Sequence, residues 1–189
     1  FSEAIGHLDL GLTLACCGLW AEAEQELDKA LNVFDNPASD VRAHWMGLTY
    51  SYFGLRLLLM LRTNQKPSIV KIFDTVETAI KFMEEFSRTQ YPIEREYVRN
   101  NWLLGASYRA KGTLEKAEKH LSESLRRCRA INMVDHEAAI LLEVSKLRHA
   151  QGAQSAYEEA LRLAQDALTI TKRSGYVLQG ADVNLWLAE

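Results

Sequence analysis

Two stretches of the chain, LGLTLACCGLWAEAEQELDKAL from Leu10 and LGASYRAKGTLEKAEKHLSESL from Leu104, match along the length of a helical hairpin. Gly11, Gly18, Ala23, Leu27, Ala30 and Leu31 of the first correspond to Gly105, Gly112, Ala117, Leu121, Ser124 and Leu125 of the second. A third, partial copy holds Gly47, Tyr50 and Gly54. Small residues at such places let two helices approach closely, and the larger ones fill the space between them. A single hairpin leaves an apolar face in water, so hairpins of this kind must stack.

The remaining punctuation agrees. Gly and Pro are sparse, at 10 and 3 in 189 residues, and they fall where helices should stop: Gly18, Asn36-Pro37, Lys66-Pro67, Tyr91-Pro92, Gly112, Gly152 and Gly175, with Asn132 serving the same purpose. Between them the apolar period is helical, as in Leu114, Ala117, Leu121, Leu125 and Cys128, which recur at steps of three and four. No comparable run alternates with period two. The pattern predicts helices near 2–17, 20–35, 38–63, 68–88, 93–110, 113–131, 134–151, 154–173 and 176–188. Their short connections predict antiparallel neighbours.

These residues resemble the tetratricopeptide repeat (TPR) family, whose pattern is a large residue, Leu-Gly, Tyr, Ala, a large apolar residue and Ala. Residues 98–131 fit best, through Leu104, Gly105, Tyr108, Ala117 and Leu121; residues 4–37 follow, through Leu10, Gly11, Ala23, Leu27, Ala30 and Pro37. Residues 41–88 fit only in the first helix, through Met46, Gly47 and Tyr50, and residues 134–173 mainly in the second, through Ala160, Ala164 and Ala167. The hairpin glycines are spaced by 36, 58 and 40 residues, longer than the family's 34. Such stretched repeats look like the sensor arrays of signal-transduction ATPases and of maltose-activator-type transcription regulators.

The resemblance implies an all-α fold of antiparallel hairpins stacked as a right-handed TPR-like superhelix, an alpha-alpha solenoid. Residues 1–189 form one array, with hairpins at about 2–37, 38–88, 92–131 and 134–173 and the first helix of a further repeat at 175–189. The helix 38–63 would span roughly 39 Å. The opening FSEAIGHLDLG lacks Met and the form of a secretory leader, so an excised fragment of a larger protein is expected. The last helix exposes apolar surface that can also pair with a second copy of the chain.

In the family the first helix of each hairpin lines the ligand groove. That face carries Arg99, Trp102, Ala106 and Arg109 on residues 98–111, Val41, His44, Leu48 and Tyr52 on the long hairpin, and Leu142, Lys146 and His149 on the fourth. A Trp beside two Arg suits a peptide that offers an apolar anchor and a carboxylate, because Arg grips carboxylate bidentately and the ring supplies a desolvated contact. The competing explanation is plain packing of Trp102, His44 and Tyr52, with solvated arginines. The Lys and Asn that clamp chaperone termini in some family members are replaced here by Leu8 and Leu12.

Other functions are poorly served. Twenty-two Lys plus Arg against 25 Asp plus Glu give a formal charge of -3, without the basic excess that direct nucleic-acid binding needs. The most apolar stretch, Gly54 to Leu61, contains Arg56, ends before Arg62 and falls short of a membrane span. Cys16, Cys17 and Cys128 form no metal-binding spacing, and no cofactor is expected. Phosphate-binding, dinucleotide, zinc-protease and nucleophile-elbow motifs are all missing. His7 with Asp9, Asp135-His136-Glu137 and the pairs Glu84-Glu85 and Glu158-Glu159 read as caps and solvated faces. The expectation is a non-enzymatic, cytoplasmic module that binds a protein or peptide segment, as the scaffold or regulatory part of a signalling or transcription-regulating protein. The alternatives are self-association through the array ends and a sensor array that does not itself touch DNA.

Overall fold

The computed structural model describes residues 1–61, 63, 65–152 and 154–188. Among these the fold is all-α: α1 (Ser2–Cys16), α2 (Trp20–Phe34), α3 (Arg42–Met60), α4 (Ile69–Thr89), α5 (Glu94–Ala110), α6 (Leu114–Ala130), α7 (Val134–Gln151), α8 (Gln154–Ser174) and α9 (Val177–Ala188). Residues Arg62, Asn64, Ala153 and Glu189, touched by the expected helix 38–63, the turn after Gly152 and the segment 175–189, lie outside the described set.

The glycine-based boundaries have a direct cause. Gly18 and Gly112 end the first helix of the repeated hairpin with φ of 78° and 82°, left-handed values that a residue with a Cβ adopts only under strain. The largest departure from expectation is the third helix, which begins at Arg42 and not near residue 38. The Asn-Pro turn takes those residues instead. The Ala38 N–H donates to Asn36 Oδ1 at 3.0 Å, and the Ser39 N–H to the Asn36 carbonyl at 3.0 Å. With 19 residues, α3 spans roughly 28 Å and not 39 Å.

The chain forms two compact units, Phe1–Glu96 and Tyr97–Glu189. In the first, α1 pairs with α2 and α3 with α4. Ala4, Leu8, Leu27, Ala30, Phe34 and Met46 make one core cluster, with Trp45, Tyr50, Tyr52 and Phe82 packed on it. A Cβ on Gly11 would stand 2.7 Å from Leu27 Cγ, so the α1–α2 approach requires glycine. Arg56 of α3, which interrupts the most apolar stretch of the sequence, is buried. Its Nε donates to the Trp20 carbonyl at 2.7 Å and its Nη2 to Glu24 Oε2 at 2.6 Å. Burying a guanidinium without such partners would be strongly unfavourable.

The second unit repeats these devices 94 positions along. A Cβ on Gly105 would lie 2.5 Å from Leu121 Cγ. Glu118, the counterpart of Glu24, again receives an arginine from the next hairpin: Arg148 Nη2 donates to Glu118 Oε1 at 2.9 Å, and Nε to Glu159 Oε2 of α8 at 3.0 Å. The cross-hairpin pair His7 Nδ1 to Glu26 Oε2, at 2.5 Å, recurs as His120 Nδ1 to Asn101 Oδ1, at 3.0 Å. The core runs from Val98 through Leu121, Leu141, Leu147 and Ala164 to Val183. The duplication first visible as a sequence match therefore extends to the contacts that join hairpins.

Candidate functional site

Helices α5, α7 and α9 of the second unit are joined by side chains that include four of the residues singled out from sequence. Trp102 on α5 meets His136 on α7 edge to face, with ring centroids 6.0 Å apart. Two helical turns further on, Arg109 meets Glu143. Both steps are seven residues, so α5 and α7 run in the same direction along this layer. On the far side of α7, His149 packs edge-on against Trp186 of α9, at 5.2 Å, and against Tyr157 of α8.

The centre of the layer is ionic. Arg109 Nε donates to Glu143 Oε2 at 2.9 Å and its Nη2 lies 2.8 Å from the same oxygen. Lys146 Nζ, one turn along α7, donates to Glu143 Oε1 at 2.7 Å. The three side chains are 27%, 12% and 13% exposed for Arg109, Glu143 and Lys146, so the cluster is largely withdrawn from water. Burial opposes ionisation of Glu143, but Lys146 and Arg109 outweigh it and hold the carboxyl at about 2. At neutral pH the cluster thus holds two cations and one carboxylate, with both carboxylate oxygens engaged.

Two flanking details complete the layer. The Trp186 Nε1–H donates to Ser145 Oγ at 2.9 Å, and the Ser145 hydroxyl donates to the Ala160 carbonyl at 2.7 Å, which ties α9, α7 and α8 together. Trp102 Nε1, by contrast, is buried and has no acceptor among the described residues. A buried donor left without an acceptor costs about 1–3 kcal/mol.

The first unit supplies an internal comparison. The positions equivalent to Trp102 and Arg109 are Leu8 and Ala15, both buried. Between Arg42 and Arg56, α3 has no Asp, Glu, Lys or Arg. The first-helix layer can therefore be built from apolar and small side chains. The ion cluster and the unpartnered indole nitrogen of the second unit are not demands of the fold.

The other expected site residues are placed differently. Arg99, three residues before Trp102 on α5, is buried at 8% exposure. Leu142 and Ala106 are also buried in the core. His44 and Tyr52 belong to the first unit. His44 packs on Trp45 and Phe86 and lines a small cleft with Leu48, Met83, Ser87, Ile93 and Glu96. Tyr52 packs on the core cluster.

Sequence reasoning missed Glu143, His136 and Trp186 as members of the layer. A signal existed for Glu143: it is the lone acid inside the apolar run AAILLEVSKL, where a charge needs a buried partner.

Of the dismissed acid–base combinations, Asp135 and His136 are in contact at 3.1 Å, and Glu159 serves Arg148. Among the described residues no group of three or more His, Cys, Asp or Glu is gathered as a metal site would require, and no helix is long and apolar enough to cross a membrane. No protein-family model matches the chain, and no curated protein matches it in sequence.

Proposed function

We propose that the chain is a TPR-like helical-repeat module, stacked as a right-handed superhelix, that binds a protein or peptide segment along the α5–α7–α9 layer. The observation that carries this reading is the Arg109–Glu143–Lys146 cluster beside Trp102, set against the apolar Leu8 and Ala15 that do the same structural work in the first unit. Buried ion clusters are poor stabilisers compared with apolar packing, so one retained where the fold does not need it points to recognition. Glu143 neutralises one of the two cations. The remaining positive charge and the aromatic rings of Trp102 and Trp186 favour a segment carrying an apolar side chain next to a carboxylate. The module fits a scaffold or regulatory role in a larger cytoplasmic signalling or transcription-regulating protein. Direct catalysis and direct nucleic-acid binding form no part of this role.

The test is selection from a displayed random-peptide library on the wild-type chain, followed by binding measurements on an Arg109→Ala, Lys146→Ala variant of matched helicity. Enriched peptides should contain Asp or Glu near an apolar residue and should lose about tenfold or more in affinity to the variant, the loss of one well-placed charge contact. A library that yields no enriched family, or peptides held equally by both proteins, removes the layer as the ligand site.

A further inference from the structure

We infer, on the reading of the α5–α7–α9 layer as the ligand site, that Glu143 fixes the charge of the ligand: it admits a singly charged carboxylate and bars a doubly charged, phosphorylated segment. Arg109 and Lys146 converge on this one acid. No other carboxylate stands within a turn of Glu143 on α7 or of Arg109 on α5. The duplication shows that the acid is an addition. Arg148 of α7 reaches Glu118 as Arg56 of α3, 92 positions earlier, reaches Glu24. The same step puts Ser51 and Gly54 at the places of Glu143 and Lys146. Both are buried, and the Ser51 hydroxyl donates to the Gly47 carbonyl of its own helix at 3.0 Å. Neither the acid nor its cations are therefore required for two such helices to pack.

The bonds already made decide what a ligand can use. Arg109 commits Nε and Nη2 to Oε2, the edge with which a guanidinium grips an anion, and Lys146 commits one N–H to Oε1. Among the described residues, Arg109 Nη1 and the other two N–H groups of Lys146 make no further hydrogen bond. One formal positive charge is left, on side chains mostly withdrawn from water. A carboxylate cancels it. A phosphate monoester carries about −1.5 to −2 near pH 7, so it would leave excess negative charge against the Glu143 oxygens, in surroundings where salt screens weakly. Specificity often needs such a repulsive element beside the attractive one. Glu143 supplies it throughout the neutral range, because its carboxyl is held at about 2.

The experiment uses two matched synthetic libraries of short peptides with blocked ends and uncharged variable positions, one with a fixed Leu-Glu and the other with Leu-phosphoserine. Each is passed over the immobilised 189-residue chain and the retained fraction is read by mass spectrometry. At about pH 7.5 the wild type should retain the Glu library about tenfold or more over the phosphoserine library. Glu143→Gln keeps the shape and an acceptor but not the charge, and should lower that ratio about tenfold or reverse it. Glu143→Asp should preserve it, and so should Glu158→Gln, which removes an exposed acid of α8. At about pH 5.5 phosphoserine has taken up most of its second proton, whose pKa is about 6, and the wild type should hold it several-fold better relative to Glu. This arm needs no variant, so it decides the point even where Glu143→Gln fails to fold. Equal retention of both libraries at about pH 7.5, a ratio unmoved by Glu143→Gln or by acid, or the same shift in Glu158→Gln would each overturn the role of Glu143. If the Arg109→Ala, Lys146→Ala variant still loses the Glu library in those cases, the layer stands as the ligand site and only that role falls. Retention of neither library by the wild type removes both.

Discussion

Arg109 on α5 grips a single oxygen of Glu143 on α7, with Nε at 2.9 Å and Nη2 at 2.8 Å from Oε2, and leaves Oε1 to Lys146. Removing the acid alone strands two cations that are largely buried. Glu143→Ala should destabilise the chain by about 1–3 kcal/mol, below the fully buried case because Arg109 keeps some exposure. Replacing all three by Met should cost less than the single change, since α1 and α3 pack without ions at this place. Urea unfolding midpoints of the two variants decide the point; a triple variant worse than Glu143→Ala would contradict it.

Acid should act through the same group. The Glu143 carboxyl, held at about 2 in the folded chain against an ordinary 4.5, binds its proton more weakly when folded than when unfolded. Its contribution is therefore complete above pH 4.5 and is lost as pH falls from 4.5 towards 2. Glu118, lowered by its hydrogen bond to Arg148, adds to the loss in the same direction. A series of unfolding midpoints between pH 6 and pH 2.5 should show a steeper decline for the wild type than for the triple Met variant (about one proton's difference).

Gly105 and Gly11 should reject even a methyl group. Ala in a helix is worth about 1 kcal/mol over Gly, but a Cβ here meets Leu121 or Leu27 at 2.5 Å or 2.7 Å, and overpacking of this kind costs about 1–3 kcal/mol. Gly105→Ala should lower the thermal midpoint. Gly105→Ala with Leu121→Ala should restore the helix contact at the expense of a cavity, so the two changes should couple in a double-mutant cycle.

The three thiols should separate by reactivity. Cys16 and Cys17 are exposed, whereas Cys128 is buried with its Sγ 3.2 Å from the Met133 carbonyl. Burial, helped by Glu137 and Asp135, pushes its thiol up to about 11. Iodoacetamide at pH 8 should add two labels to the folded chain and a third only in urea, read by intact mass. Three rapid labels on folded protein would place Cys128 in a different environment.

Much of the hairpin framework was legible because glycine spacing and apolar period are local signals. Gly18, Gly112, Gly152 and Gly175 stand at helix ends with positive φ as their positions suggested, and eight of the nine expected helices begin and end within about two residues of the structure. The third failed at its start because the Asn36 side chain and carbonyl capture the N–H groups of Ala38 and Ser39, a competition between turn and helix that periodicity does not register. The site was legible only in part. Trp102, Arg109, Lys146 and His149 follow from the helical face, but Arg99 on the same face is buried, because a face by itself does not say which of its positions stay in water.

The amino-acid sequence by itself determined the helices, their hairpin pairing and the duplication, since each depends on residues within a few turns of one another: a glycine where φ is positive, a small residue opposite a leucine, an apolar stripe. Tertiary structure alone decided which charges meet. Arg56 with Glu24, Arg148 with Glu118 and Arg109 with Glu143 join residues 32, 30 and 34 positions apart, across helices whose relative rotation the local pattern leaves open. A buried ion is stable only if its partner arrives within hydrogen-bond reach, and that distance is set by how the hairpins stack.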